Sequence, residues 1–195
     1  MTRGRGLADP RSDIIAAMRL LLAARSAAFV ILMPGTVVGY LPYRILKNSE
    51  GAAAVRWGLS SVCAAALFAL GLAVLLRCVW DFAAAGRGTL APIDPPRRLV
   101  VRGLYRFTRN PMYNGVLAAL GGEAWFFRSI PLLEYAIVIF AVFHLFVVAY
   151  EEPALKQRFG EAYADYRRAV PRWGFTRRGY RETTRPVPAG RGQSA

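Results

Sequence analysis

Residues 112–150, MYNGVLAALGGEAWFFRSIPLLEYAIVIFAVFHLFVVAY, decide the fold. They hold two apolar runs, Met112 to Phe127 and Ile130 to Tyr150, joined by the short stretch Phe127 to Pro131. A connection that short makes an antiparallel helical hairpin, so the start of the first helix and the end of the second lie at one face. Arg109-Asn110-Pro111-Met112-Tyr113 opens the hairpin and Tyr150-Glu151-Glu152-Pro153 closes it. Two adjacent carboxylates at the end of an apolar run are costly to place, and arginines beside them offset that cost. The two motifs together predict a polar pocket at a membrane surface.

Two more apolar runs lie upstream. Leu20 to Pro42 is apolar apart from Arg25, and Trp57 to Leu76 is uncharged. About 20 residues at ~1.5 Å each cross a ~30 Å hydrocarbon core. The third run carries Glu123, and the fourth carries Glu134 and His144. The reading is an all-α integral membrane protein with about four transmembrane helices.

Composition agrees: 55% of the 195 residues are hydrophobic, yet the formal charge is +14. A soluble nucleic-acid binder shares that charge but not four apolar runs separated by basic loops, so nucleic acid is not an expected partner. The charge reads as topology instead. Five Lys and Arg lie from Arg3 to Arg25, seven from Arg77 to Arg109 and ten from Lys156 to Arg191. The loop between the first two runs holds Arg44, Lys47 and Arg56, and the hairpin turn holds Arg128. Basic residues stay on the cytoplasmic side, which predicts both termini and both motifs there, in a plasma (inner) membrane. The N-terminal stretch runs into a segment long enough to span and shows no clear cleavage site, so it reads as retained.

The chain divides into an N-terminal region, 1–81, with the first two spans; a core, 82–173; and a basic tail, 174–195, expected to be disordered for want of apolar content. Cys63 and Cys78 have neither metal-ligand spacing nor a disulfide framework around them, and no metal site is expected. The spacing says nothing of oligomeric state.

Phe82 to Ala85 continues the second helix to a glycine stop at Gly86, and Pro92, Pro95 and Pro96 then hold the chain extended. Gly86 and Gly88 suit either a plain helix cap or a close approach of backbone to a ligand. Asn110-Pro111 has two compatible readings: a good N-cap followed by a favoured first helical residue, and an anion site where free N–H groups meet Arg106 and Arg109. His144, Val148, Glu151 and Glu152 fall within two helical turns, so one face of the fourth helix can turn all of them toward one pocket. His144 also suits a bond to Glu134 or to backbone inside the bundle. Acids at a helix C-terminus oppose the macrodipole, so Glu151 and Glu152 need a cationic partner. Beyond Pro153, Leu155, Phe159, Tyr163, Tyr166 and Val170 repeat at helical spacing among Lys156, Arg158, Arg167 and Arg168, an amphipathic helix suited to the membrane interface or to roofing the pocket.

The motifs Gly86-x-Gly88-Thr89, Gly103-Leu-Tyr-Arg-Phe-Thr-Arg-Asn-Pro-Met-Tyr-Asn-Gly115, Tyr150-Glu-Glu-Pro, Phe159-Gly-Glu-Ala-Tyr163-Ala-Asp-Tyr166 and Val170-Pro-Arg172 resemble those of the membrane-embedded methyltransferases that include isoprenylcysteine carboxyl methyltransferase and phosphatidylethanolamine N-methyltransferase. The resemblance covers about Phe82 to Trp173. It implies S-adenosylmethionine as cofactor, with Gly86, Gly88, Glu151 and Glu152 binding it. Prenylcysteine enzymes typically carry Arg-His-Pro where this chain has Arg109-Asn110-Pro111, whereas Asn-Pro-Met-Tyr is closer to the phospholipid enzymes.

The residues suit that chemistry. Arg109 and the helix start at Asn110, Pro111 and Tyr113 match a cofactor carboxylate, and the paired glutamates match its ammonium or ribose diol. Methyl transfer is an in-line displacement that gains chiefly from positioning. For an amine acceptor, Glu151 or His144 serves as base. The expected acceptor is a membrane lipid or lipid-like molecule with an amine or carboxylate head, entering from the bilayer. Two other classes fit the architecture less well, an NADPH-dependent membrane reductase and a non-enzymatic scaffold.

Overall fold

The computed structural model describes residues 32–49, 57–85, 99 and 101–180. Five α-helices occur among them: α1 (Leu41–Asn48), α2 (Leu59–Ala85), α3 (Pro111–Phe126), α4 (Ile130–Phe146) and α5 (Glu152–Ala169). A 3-10 turn, Gly103–Arg106, precedes α3, and no strand is found in the described residues. Two helices are long and apolar enough to cross a membrane, α2 over Leu59–Asp81 and the continuous helix that begins at Ile130. That second helix leaves its apolar stretch at Tyr150. The all-α membrane architecture read from the sequence is therefore present.

The outer surface is apolar, with Leu70, Leu76, Ile137, Val142 and Leu145 all exposed, while small residues line the helix contacts. This arrangement follows from the solvent. Lipid gives apolar side chains no reason to hide, so helices associate by close packing through small residues. On α2 the inward seam is Ser61, Ala64, Gly71, Leu75 and Cys78. On α3 it is Gly115, Ala119 and Gly122. A methyl at Gly71 would sit 2.4 Å from the Ala119 nitrogen, and one at Gly122 would sit 2.6 Å from the Phe68 nitrogen. Backbone meets backbone there.

The α3–α4 hairpin forms as its short connection requires. Arg128 takes the left-handed conformation (φ 49°) after the α3 C-terminus, and the Ser129 hydroxyl accepts from the Leu132 N–H to start α4. At the same end of the bundle Trp57 meets Phe126 edge to face, and the Trp125 indole donates to Ser60. Antiparallel α2 and α3 therefore bring Asp81 and Pro111 together at the opposite end.

Two helices differ from the sequence expectation, for one shared reason. The first apolar run does not stop at Pro42: the helix continues to Asn48, with a π-helical turn, Gly35–Tyr40, just before the proline. A second π turn, Val147–Glu151, precedes Pro153. Widening the helix removes the clash of a proline ring with the carbonyl one turn back. It also orphans a carbonyl. In an i→i+5 ladder the partner of Val37 O is Pro42 N, which carries no hydrogen, and the Tyr135 hydroxyl donates to Val37 O at 3.0 Å instead. The second π turn shifts the face of α4, so Val147 is buried and Val148, expected to point inward, is exposed.

The amphipathic helix α5 forms, kinked at Gly160 (φ 51°). Its stripe of Tyr163, Tyr166 and Val170 packs under Leu99, Val101 and Tyr180. Its apolar face is thus turned to the protein, as a roof, rather than to lipid. The chain also stays ordered past Trp173. Thr176 N–H donates to Phe107 O and Tyr180 N–H to Arg106 O, so the disorder expected from residue 174 does not hold for 174–180. Most of the first run, and the stretch 181–195, lie outside the described residues.

Candidate active site

Glu152 is the centre of the polar cluster. It sits just past the π turn, beyond the spanning segment, where α4 runs into α5. Arg109 Nη1 donates to its Oε1 at 2.8 Å. Arg172 grips it side-on, Nε to Oε1 at 2.5 Å and Nη2 to Oε2 at 2.9 Å. The Glu152 side chain is 9% exposed and that of Arg109 11%, so this contact is desolvated and charge-assisted. Burial pushes the Glu152 carboxyl up, but the Arg172 hydrogen bond and the charges of Arg109, Arg172 and Arg167 outweigh it and hold it below the usual carboxylate range.

Glu151 is the opposite case. Its one described side-chain contact is long, 3.4 Å from the Tyr113 hydroxyl. Burial raises its carboxyl above the usual range; the Tyr113 hydroxyl partly offsets this, and the charge of Glu152 adds to it. The adjacent acids are thereby split into one ionised and locked and one that holds a proton more readily. Paired carboxyls with separated pKa values are a common arrangement for dividing binding from proton transfer.

A strap built from 170–173 ties the site together. Arg109 N–H donates to Pro171 O at 2.9 Å, and Asn110 Nδ2 to Arg172 O at 3.2 Å. Tyr166 Oη donates to Tyr105 O at 2.6 Å, pinning the turn before α3. Asn110 occupies the N-cap position of α3 but makes no side-chain capping bond; its side chain is turned to the strap, to which Nδ2 donates. The first N–H groups of α3, beginning after Pro111, are left without a side-chain cap next to Arg109, whose buried Nε has no partner among the described residues. A helix start of that kind suits an anionic group.

His144 sits in a different setting from the one expected. Its Nδ1 accepts from the Trp173 indole at 3.1 Å, with Phe140 and Trp173 rings beside it. Neither Glu134, which is exposed, nor backbone is its partner here. With the Nδ1 lone pair engaged, neutral His144 carries its proton on Nε2 and is a hydrogen-bond donor. It has no free lone pair for a base.

The structure therefore brings together Arg109, Asn110, Pro111, Tyr113, Glu151 and Glu152, and sets His144 beside them through Trp173. Gly86 and Gly88 lie outside the described residues. Sequence reasoning missed Arg172 and Trp173, for which the Val170-Pro-Arg172 motif was a signal.

Comparison with known proteins agrees with this geometry. Protein-S-isoprenylcysteine O-methyltransferase B of Arabidopsis thaliana is 35% identical over 75 residues, which is 38% of this chain and 38% of that protein. No solved structure matches. Residues 59–162, from the start of α2 into α5, match the phospholipid methyltransferase family. That span takes in the helix seam, the hairpin and both acids; the chain belongs to the phospholipid methyltransferase family.

Proposed function

We propose that this protein transfers a methyl group from S-adenosylmethionine to a lipophilic acceptor with an amine or carboxylate head, at the cytoplasmic face of a plasma (inner) membrane. One observation carries the reading: Arg109 and Arg172 hold Glu152 between them, next to an unlocked Glu151, where an apolar hairpin ends. The family assignment favours this over a reductase or a scaffold.

The residues present fit the cofactor. Arg109, with its unpartnered Nε, and the uncapped start of α3 at Asn110, Pro111 and Tyr113 would receive its carboxylate. Glu151 and Glu152 would face its ammonium or ribose diol, Glu152 chiefly by fixing the two guanidinium groups. Gly86 and Gly88 would bring backbone close to it. When bound, S-adenosylmethionine supplies an electrophilic methyl group on a sulfonium. Glu151 acts as base for an amine head, since burial has raised its affinity for a proton while it remains near the membrane edge. A carboxylate head needs no base. His144 donates a hydrogen bond from Nε2 and positions rather than deprotonates. The strap and the α5 roof exclude water, which strengthens each of these contacts.

The acceptor reaches the site sideways between helices, presenting only its head; a water-soluble cofactor enters from the cytoplasm. Isothermal titration tests the reading. Binding of S-adenosylmethionine with no binding of NADPH is the expected result, and the reverse would overturn it.

A further inference from the structure

Asp81 is a half-buried acid that the arrangement above does not use. It closes the apolar stretch of α2, at the same end of the bundle as Glu151. Its outer oxygen, Oδ1, pairs with Arg77 one turn back at 3.2 Å, and the Arg77 side chain is 61% exposed. Its inner oxygen, Oδ2, is buried and has no hydrogen-bond partner among the described residues. An orphaned carboxylate oxygen is costly to bury, so it calls for an explanation.

The surroundings supply one. Oδ2 lies against Gly103, where a methyl group would come within 2.6 Å of it. Gly103 is left-handed (φ 54°) and opens the turn that leads to Arg109. The residue there is thus one whose conformation and missing side chain both leave the carboxylate room. Gly103 and Asp81 thus meet at the end of the bundle where α3 begins, two residues from Tyr105, whose carbonyl Tyr166 holds.

Resting on the methyltransferase reading above, we propose that Asp81 is a further binding residue: its inner oxygen receives a cationic nitrogen of a bound substrate. Two sources share that chemistry, the α-ammonium of the methyl donor and the amine head of the acceptor. Binding shifts the Gly103 turn enough to expose Oδ2. The outer oxygen stays with the largely exposed Arg77, which the proposed contact does not need.

The test uses the full-length protein in detergent or vesicles and the variant Asp81→Asn, which keeps shape and removes charge. Arg77→Ala, which removes only the outer partner, is the control. If the donor supplies the cation, Asp81→Asn weakens S-adenosylmethionine binding about tenfold or more, and the preference for S-adenosylhomocysteine over its deamino analogue disappears. If the acceptor supplies it, donor affinity and that preference stay, while KM for phosphatidylethanolamine vesicles rises by a similar factor. Unchanged donor affinity and unchanged KM in a folded variant would overturn the proposal, as would equal losses in Arg77→Ala. Should Asp81→Asn not fold, Asp81→Glu, which moves the oxygen by one methylene, is put through the same measurements and read the same way. Failure of the wild-type protein to bind S-adenosylmethionine at all would count against the methyltransferase reading instead.

Discussion

Arg109 and Glu152 are 43 residues apart in the chain and 2.8 Å apart in space. The contact spans the whole α3–α4 hairpin, from the residue before its first cap to the residue after its last π turn. Removing Glu152 leaves the buried Arg109 guanidinium without its carboxylate, which costs on the order of 3 kcal/mol; removing Arg109 leaves Glu152 to Arg172 and costs less. Glu152→Ala and Arg109→Ala are each expected to lower the unfolding temperature in detergent and to weaken S-adenosylmethionine binding by about tenfold to a hundredfold. Titration curves like the wild type's, from folded variants, would take the pair out of the site.

The α2–α3 seam gives a prediction independent of chemistry. Gly71→Ala places a methyl group 2.4 Å from the Ala119 nitrogen, against backbone that cannot rotate away. Overpacking of this kind costs about 1 to 3 kcal/mol or more. Alanine at Gly121, where nothing lies within 4 Å, is the control and should be silent. A thermal melt of the two variants side by side checks the contrast.

The adjacent acids should respond to pH in opposite directions. The Glu152 carboxyl is held below the usual range, so its contribution to stability is present above the unfolded value and is lost as pH falls through the folded one. Glu151 is raised, so its contribution is present below the unfolded value and is lost as pH rises through the folded one. Glu151→Gln is therefore expected to flatten the decline in melting temperature on the alkaline side of the ordinary carboxylate range, about pH 4. Glu152→Gln is expected to remove the decline on its acid side. The same response from both variants would contradict the split.

His144 separates a base from a donor. With Nδ1 taken by Trp173, His144→Gln should leave S-adenosylmethionine affinity near normal and keep the acid limb of the pH–rate profile. Glu151→Gln should abolish that limb for an amine acceptor. Loss of the limb in the histidine variant would return the base role to His144.

Some of this was legible in the sequence because short-range rules applied. The brief Phe127–Pro131 connection fixed the hairpin, and the hairpin brought Arg109 to the acids. Residues that arrive through long-range contacts were not legible. Arg172 reaches Glu152 only because Pro171 accepts from the Arg109 N–H, a bond that no periodicity announces. The stripe on α5 told that an apolar face exists and could not tell that protein rather than lipid covers it. Pro42 and Pro153 were visible as helix breakers. Their outcome, a π turn that lets the helix continue, depends on a carbonyl finding another donor, as Val37 does in Tyr135. The glycines of the seam were in plain view at coiled-coil-like spacing, and their meaning follows only once lipid is taken as the solvent.

The most direct measurement is the fate of the methyl group. Membranes with and without the protein are incubated with methyl-labelled S-adenosylmethionine, extracted with organic solvent and treated with alkali. The account predicts protein-dependent label in the organic phase: stable to alkali for an N-methyl product, as the Asn110-Pro111-Met112-Tyr113 motif favours, or released as methanol for a methyl ester. Label confined to water-soluble products, or organic label that does not depend on the protein, would contradict it.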